Sequence, residues 1–212
     1  MLTISIHRNL STNFVFPNLA KWILSMTLIQ SPLKLSLADF LKLPETKPAS
    51  EYIDGQIYQK PMPKGKHSRL QIRLATEINR VGELNRLAFA FPELRCTFGG
   101  RSIVPDITVF SWERIPVDAN GEIENEFEIH PDWTIEILSP EQSSTRVINK
   151  ILFCLNQGTE LGWFLDPKER LIMTFQPGKQ PEVKQEQDVL PVLSSLTDLQ
   201  LSAQEVFSWL NL

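Results

Sequence analysis

The 212-residue sequence predicts an α+β or α/β domain in which a β-sheet is flanked by two helices and preceded by a β-hairpin. The hairpin is predicted by Asp54-Gly55, because this pair lies between β-type residues and is a strong short-range hairpin signal. Two amphipathic helices are predicted by apolar residues at helical spacing in residues 67–81 and 147–155. Short apolar strands occupy the chain between and after these helices.

Caps and turns define the N-terminal elements. Ser36-Leu-Ala-Asp39 is a capping box that opens a short helix ending near Pro44. Tyr52–Tyr58 forms the hairpin. The first long helix is predicted over His67–Val81, with its apolar positions on one face; Gly82 marks either its cap or a weak point beyond which the helix continues toward Asn85.

Three β-rich stretches follow the first long helix. Leu87–Phe91 and Leu94–Phe98 are expected to pair as a hairpin around Pro92. Arg101–Phe110 and Trp133–Ser139 are predicted to be longer strands, separated by an acidic loop.

The second long helix is expected to end at Gly158. Leu161–Leu165 and Leu171–Phe175 then predict a second hairpin, and the polar Pro177–Pro191 stretch has loop character. Ser202-Ala-Gln-Glu205 is a second capping box, which predicts a short C-terminal helix.

The chain is expected to hold one folded domain, residues 26–212. Its core is predicted at about 36–176, and a C-terminal loop and short helix at 177–212. We expect residues 1–25 to be either a disordered extension or upstream translation from a misassigned start. In the second case Met26 is the true start.

Composition excludes several classes of protein. Hydrophobic residues make up 42% and charged residues 22%, as in a soluble globular domain. No apolar run approaches the roughly 20 residues of a membrane-spanning helix. Two cysteines and three scattered histidines disfavour a disulfide framework and a zinc site. The sequence therefore predicts a cytoplasmic protein without a membrane anchor.

Charge is distributed unevenly along the chain. Residues 60–101 contain nine basic and three acidic residues, whereas residues 102–145 contain ten acidic residues and one arginine. This pattern is compatible with a phosphate-facing surface beside a cation site. On charge alone, two solvated faces that neutralise each other are the favoured interpretation.

Two carboxylates fall inside apolar strands. Asp106 is predicted within Arg101–Phe110, and Glu136 has an isoleucine on each side. An unpaired ionised carboxylate in such a position would cost several kcal/mol. Either a divalent metal held by both side chains or ordinary ion pairs, for instance with Arg101 or Lys150, would resolve the anomaly.

Lys150 is the third candidate site residue. It lies on the polar face of the second long helix, which begins just beyond the Glu136 strand. Its ammonium could therefore reach back toward the carboxylates, where it would stabilise negative charge on a phosphate or help to activate water. A solvated surface lysine is the alternative.

These residues occur in an ordered set of motifs that resembles a bacterial restriction endonuclease family of the PD-(D/E)XK nuclease superfamily. The motifs are Glu51-Tyr-Ile-Asp-Gly55, His67, Val104-Pro-Asp106, Trp133-Thr-Ile-Glu-Ile-Leu-Ser-Pro140, Lys150 and Gly162-Trp-Phe-Leu-Asp-Pro167. The resemblance implies an α+β, restriction-endonuclease-like core with a mixed β-sheet. It also implies Mg²⁺ or Mn²⁺ at the active site and hydrolysis of phosphodiester bonds.

The resemblance also implies roles for individual residues. Asp106 and Glu136 would bind the metal, and Lys150 would be the catalytic lysine. Glu51 matches an acidic position near the site.

His67 and Gln71, one helical turn apart, could line the cleft. The superfamily pattern places the lysine two residues after the strand glutamate, where this chain has Leu138. In the resembling family the lysine has moved to the next helix, which Lys150 fits, and Arg146 is the fallback on the same face.

The leading prediction is a metal-dependent DNA endonuclease, with the basic segment on the DNA backbone and a homodimer for duplex cleavage. The alternative is a catalytically inactive fold that binds nucleic acid or protein. An acyl hydrolase is disfavoured because the chain contains no Gly-x-Ser-x-Gly motif.

Overall fold

The structure is a computed structural model that describes residues 35–212. The predicted extension at 1–25 and the alternative start at Met26 lie outside the described residues. Four helices are present within residues 35–212: α1 Leu37–Phe40, α2 Gly65–Gly82, α3 Ser144–Asn156 and α4 Ala203–Ser208. Ten strands accompany them: β1 Ser50–Ile53, β2 Gln56–Gln59, β3 Ala88–Pro92, β4 Cys96–Phe98, β5 Arg101–Ile103, β6 Ile107–Ser111, β7 Trp133–Ile137, β8 Leu161–Asp166, β9 Leu171–Phe175 and β10 Glu182–Lys184.

The strands form two sheets. The smaller sheet has the antiparallel order β2-β1-β5-β4, and the larger has the order β10-β9-β8-β7-β6-β3. In the larger sheet β7 and β8 are parallel while the other neighbours are antiparallel, so the predicted mixed sheet is confirmed. The second sheet was not predicted as a separate unit.

The larger sheet carries one long helix on each face. Trp163 and Leu165 of β8 belong to the core cluster that includes the buried face of α2. Phe164, which alternates with them, packs instead in the cluster of Val147 and Ile151 from α3. The predicted sheet between two helices is therefore confirmed.

Several local predictions are also confirmed. Ser36 accepts a hydrogen bond from the Asp39 amide at the start of α1, and Ser202 accepts one from the Glu205 amide at the start of α4. The hairpin around Asp54-Gly55 forms β1 and β2, and β8 pairs with β9. The 177–191 stretch is not entirely loop, because its Glu182–Lys184 segment adds β10 to the edge of the larger sheet.

The predicted hairpin around Pro92 is wrong. β3 pairs with β6 in the larger sheet, whereas β4 pairs with β5 in the smaller one. Glu93 has a left-handed backbone with a φ of 54°, and its amide donates to the backbone carbonyl of Asp106. The chain thus turns at Glu93 from one sheet into the other instead of folding back on itself.

The predicted continuous strand over Arg101–Phe110 is also wrong. It divides into β5 and β6, which belong to different sheets, and Val104-Pro105-Asp106 connects them. Proline has no amide hydrogen for a strand ladder, which suits it to such a break. Asp106 is consequently the last residue of a crossover between sheets, not a mid-strand residue.

Candidate active site

The crossover between the sheets places Asp106 at the centre of a buried polar cluster. Asp106 is nearly inaccessible, with 2% of the residue's surface exposed. Its Oδ2 accepts a hydrogen bond from the Ile137 amide at 2.7 Å and lies 3.1 Å from His67 Nε2. Because Ile137 follows Glu136 on β7, this bond brings the two predicted carboxylate positions together.

Lys60, just after β2, supplies the cation on the other oxygen of Asp106. Its Nζ donates to Asp106 Oδ1 at 2.8 Å, to the Val104 carbonyl at 2.9 Å and to Glu93 Oε1 at 2.9 Å. An ammonium has three protons to donate, and all three have oxygen acceptors here. Lys60 is itself buried, so this ion pair is well shielded from solvent.

Lys150 of α3 joins the carboxylates of both sheets. Its Nζ lies 2.9 Å from Glu136 Oε1 on the larger sheet and donates to Glu51 Oε1 on the smaller sheet at 2.8 Å. All three side chains are buried. The predicted reach of Lys150 toward the carboxylates is present in the structure. Its catalytic role stays a prediction.

Gly162 of β8 allows α3 to approach the sheet closely enough for this contact. A Cβ atom added at Gly162 would lie 2.3 Å from Ile151 Cγ2 of α3, well inside van der Waals contact. Ile151 is the neighbour of Lys150 in the chain. The depth at which Lys150 enters the cluster therefore depends on residue 162 being a glycine, which has no side chain.

Site side chains also satisfy the backbone of the crossover. Val104 lies in neither sheet ladder, yet its amide donates to Glu51 Oε1 at 2.9 Å and its carbonyl accepts from Lys60. Buried backbone groups need such partners. Glu51 and Lys60 therefore hold the chain at the position where Asp106 enters the cluster.

His67 and Gln71 of α2, one helical turn apart, both contact Asp106. His67 contacts the carboxylate through Nε2, while its Nδ1 is buried without a hydrogen-bond partner. Gln71 Nε2 donates to the backbone carbonyl of Asp106 at 2.8 Å. Gln71 thus positions the main chain of Asp106, and His67 is the helix residue that touches its side chain.

The surrounding charges shift the pKa values of the cluster in different directions. Burial raises the pKa of Asp106, but Lys60 and His67 more than offset it, and the net pKa lies well below the usual range. Burial raises the pKa of Glu136 more than Lys150 lowers it. Burial lowers the pKa of Lys150, yet Glu136 and Glu51 outweigh this and leave it raised. Lys150 therefore keeps its proton at neutral pH.

The cluster has more buried carboxylates than buried ammonium groups. Glu51, Asp106 and Glu136 face Lys60 and Lys150, which leaves one negative charge uncompensated when all five are ionised. Glu136 Oε1 is buried and accepts no hydrogen bond, although Lys150 lies close to it. The region can therefore accept a further positive charge.

The donor set fits a hard divalent cation and does not fit a site built entirely from protein ligands. Within residues 35–212, no three or more histidine, cysteine, aspartate or glutamate side chains are arranged to hold a metal ion. Mg²⁺ commonly uses one or two carboxylates and completes its shell with water and substrate phosphate. Asp106 and Glu136 supply two such carboxylates.

Three surface clefts reach the cluster from different sides. Glu51 and Lys60 line a cleft of about 300 Å³, and Lys150 lines another of about 640 Å³. His67 lines the largest, about 1110 Å³. Arg146, the fallback for Lys150, is instead stacked over the Tyr58 ring at 4.6 Å. Asp106 and Glu136 themselves line none of these three clefts.

The basic stretch is a less continuous surface than its sequence indicated. Six of its nine basic side chains form ion pairs: Lys60, Lys64, Arg73, Arg80, Arg95 and Arg101. Most of their partners lie outside the acidic 102–145 stretch, for example Glu45 and Asp54. Within residues 35–212, the lysine and arginine side chains of the basic stretch form two ion pairs with the acidic stretch, Lys60 with Asp106 and Lys64 with Glu141.

Sequence reasoning missed Lys60 and Glu93 as members of the site. Lys60 was one of nine basic residues, and Glu93 was one of three acids that oppose them. Only the pairing of β1 with β5 and the crossover at Val104 bring Lys60 to Asp106, 46 residues away in the chain. No local spacing pattern encodes that approach.

A mixed sheet between two helices, with an aspartate, a glutamate and a lysine gathered beside its interior strands β6 and β7, defines a restriction-endonuclease-like protein. The Uma2 family, described as "Putative restriction endonuclease", matches residues 37–204. The chain belongs to this family. No curated protein gives a significant match.

A solved structure supports the same assignment. The chain is 55% identical to a protein from Anabaena variabilis ATCC 29413, described as a putative nuclease belonging to DUF820. The match covers 83% of this chain and 99% of the other, with a TM-score of 0.82. Among the helices that the structure describes, none has the length and apolar character needed to span a membrane.

Proposed function

We propose that this protein is a metal-dependent endonuclease that hydrolyses phosphodiester bonds of DNA. The observation that carries the proposal is the buried cluster of Glu51, Asp106 and Glu136 around Lys60 and Lys150, which has an excess of carboxylates and open clefts beside it. Membership of a family described as restriction endonucleases supports the reaction class.

In this proposal Asp106 and Glu136 hold Mg²⁺ or Mn²⁺. When bound, such an ion polarises a phosphoryl oxygen and lowers the pKa of bound water. The Ile137 amide and His67 fix the orientation of the Asp106 carboxylate, because both contact its Oδ2. Gln71 fixes the main chain of the same residue.

Lys150 acts as a fixed positive charge in this proposal. Its raised pKa, which Glu136 and Glu51 cause against the effect of burial, favours charge stabilisation and disfavours proton abstraction from water. Its two ion pairs hold the ammonium beside the metal ligand Glu136. Negative charge that develops on a phosphate would be stabilised there.

The substrate and setting belong to the same proposal. Lys66, Arg69 and Arg86 of the 60–101 stretch form no ion pair within residues 35–212, and they would contact the DNA backbone. Cleavage of both strands would use a homodimer. A cytoplasmic location is supported by two buried free thiols, Cys96 and Cys154, which suit a reducing compartment.

The test is nicking of supercoiled plasmid by the full chain with Mg²⁺, Mn²⁺ or EDTA. We expect metal-dependent nicking by the wild type and its loss in Asp106→Asn and Lys150→Met. Lys184→Met is the matched control, because Lys184 forms a lysine–glutamate ion pair on β10, away from the cluster. Nicking that persists in EDTA or in Asp106→Asn would contradict the proposal.

One observation favours a second candidate, a nucleic-acid-binding or protein-interaction fold without hydrolysis. Lys60 and Lys150 already compensate most of the buried negative charge without a metal ion. This candidate predicts that the wild type binds DNA equally well in EDTA and cuts neither plasmid nor single strands. Asp106→Asn would then leave DNA affinity unchanged.

A further inference from the structure

Lys60 occupies a pocket made of oxygen atoms. Its Nζ lies 2.8–2.9 Å from oxygen atoms of Asp106, Val104 and Glu93. Two of these acceptors are carboxylates and one is a backbone carbonyl, which are the ligand types that hard divalent cations use. The ammonium of Lys60 is therefore surrounded much as a small bound cation would be.

The occupied oxygen of Asp106 is the one that a metal ion needs. Oδ2 already contacts the Ile137 amide and His67, which account for its two lone pairs. Oδ1 remains, and Lys60 holds it at 2.8 Å. A divalent cation on the same oxygen would be repelled by the ammonium in a region shielded from water.

Lys60 forms a second ion pair, with Glu93. Its side chain is 42% exposed, whereas that of Asp106 is 3% exposed, and both accept from the same ammonium. A lysine side chain has a flexible four-carbon stem and can change partners without movement of the backbone. Near the surface, the pair with Glu93 also requires less desolvation of charge.

We propose that Lys60 is the resident cation of the metal-free site, and that a divalent cation binds Asp106 only when Lys60 releases Asp106 and keeps its existing ion pair with Glu93 alone. The inference rests on the proposed metal site at Asp106 and Glu136. Lys60 then has two effects. It stabilises the fold without metal, and it weakens metal affinity because the ion must displace it.

The first experiment measures Mn²⁺ affinity by calorimetry on the full chain, with wild type, Lys60→Met and the control Lys184→Met. Methionine keeps the length of the lysine stem and removes its charge. We expect Lys60→Met to bind Mn²⁺ roughly tenfold to a hundredfold more tightly, as expected if one charge-assisted hydrogen bond no longer has to be broken. The control is expected to match the wild type.

Thermal unfolding of the same variants gives a second readout. In EDTA we expect a lower Tm for Lys60→Met than for the wild type, because Asp106 loses its cation. Saturating Mn²⁺ should raise the Tm of Lys60→Met more than that of the wild type, since at the same concentration a ligand that binds more tightly stabilises the folded protein more. Unchanged or weaker Mn²⁺ binding by Lys60→Met would overturn the inference.

Glu93→Gln is a second variant in case Lys60→Met folds poorly. Because Glu93 is half-exposed, we expect its substitution to disturb the fold less than that of the buried Lys60. We expect this variant to bind Mn²⁺ several-fold more weakly than the wild type, since the displaced ammonium no longer finds a carboxylate. In the Lys60→Met background the same change is expected to have a much smaller effect. Equal losses in both backgrounds would show that Glu93 attracts the ion directly, and the release of Asp106 by Lys60 would be refuted.

The outcomes separate this inference from the proposed function. If the wild type and Lys60→Met both fail to bind Mn²⁺, the metal site itself is wrong and both proposals fall. If the wild type binds Mn²⁺ and Lys60→Met binds it no more tightly, only the displacement of Lys60 is refuted. Neither readout depends on DNA cleavage.

Discussion

The two sheets contribute to the cluster in different ways. The strands of the larger sheet beside the cluster, β7 and β8, have five and six residues and are almost entirely buried. In the smaller sheet β1 and β2 have four residues each, and β2 is mostly exposed. Glu136 thus lies on a fully buried strand of the larger sheet, and Glu51 lies on a strand whose neighbour β2 is mostly exposed.

The two sheets therefore have different roles at the candidate site. The larger sheet fixes Asp106 and Glu136 next to each other through the Ile137 amide. The smaller sheet and the residue after it bring Glu51 and Lys60, which contact the same crossover from outside. We infer that the larger sheet determines whether the site can act, and the smaller sheet determines how firmly it is assembled.

The largest expected effect compares the two glutamates that face Lys150. Glu136→Gln should lower the rate of DNA nicking by roughly 10³-fold or more, because several kcal/mol of metal-based transition-state stabilisation are lost. Glu51→Gln keeps an oxygen acceptor for Val104 and Lys150 and should lower it by only about tenfold. Initial rates in Mg²⁺ measure both. Similar losses for the two variants would remove the distinction between the sheets.

Removal of the lysine that joins the sheets should have the next largest effect. Lys150→Met leaves two buried carboxylates without their ammonium, so we expect the free energy of unfolding to fall by about 3–5 kcal/mol at pH 7. Urea unfolding followed by circular dichroism measures this. The control Lys184→Met should stay within about 1 kcal/mol of the wild type. A loss no larger than the control's would mean that Lys150 does not stabilise the junction.

Packing of α3 on the larger sheet gives a smaller effect. Gly162→Ala places a methyl group against Ile151 Cγ2, and we expect a loss of about 1–3 kcal/mol from overpacking. Adding Ile151→Leu, which has no methyl group on Cβ, should restore part of this stability. Urea unfolding of the single and double variants provides the test. Equal stability of both would exclude this contact as the cause.

The smallest effect concerns an exposed ion pair near the smaller sheet. The Arg95 guanidinium donates two hydrogen bonds to Glu45 and lowers the pKa of that carboxyl. A lowered pKa in the folded state contributes stability above the unfolded value, and this contribution disappears as the pH falls through the folded value. Glu45→Gln should therefore cost less than about 1 kcal/mol at pH 7, and this difference should shrink as the pH falls through the range in which the Glu45 carboxyl becomes protonated. A pH-independent difference in urea unfolding would contradict this.

Much of the fold followed from local patterns in the sequence. Asp54-Gly55 requires left-handed backbone at both positions and has it, with φ values of 53° and 86°. The caps at Ser36 and Ser202 and the periodicity of both long helices are likewise local signals. The division of residues 101–110 between two sheets could not be predicted in this way, because strand partners are chosen by tertiary contacts.

The candidate site was predicted in part. Asp106, Glu136 and Lys150 were found as charges in apolar surroundings, and the structure brings them together. Lys60 was not found, since a lysine after an exposed hairpin strand looks like a surface residue until the crossover is known. Catalysis by these residues and metal binding stay predictions for the nicking and calorimetry experiments.

The crossover at Val104 has a consequence for how the molecule opens. Among the described residues, the amide of Val104 is bonded to Glu51 and its carbonyl to Lys60, so the hairpin cannot detach without exposing both groups and dismantling the cluster. Proteins open locally at a lower free energy than they unfold globally, and short strands are among the first parts to open. Mild denaturant should therefore open the hairpin while the larger sheet is still folded, and the Val104 amide should exchange its hydrogen with solvent earlier than the amides of β7.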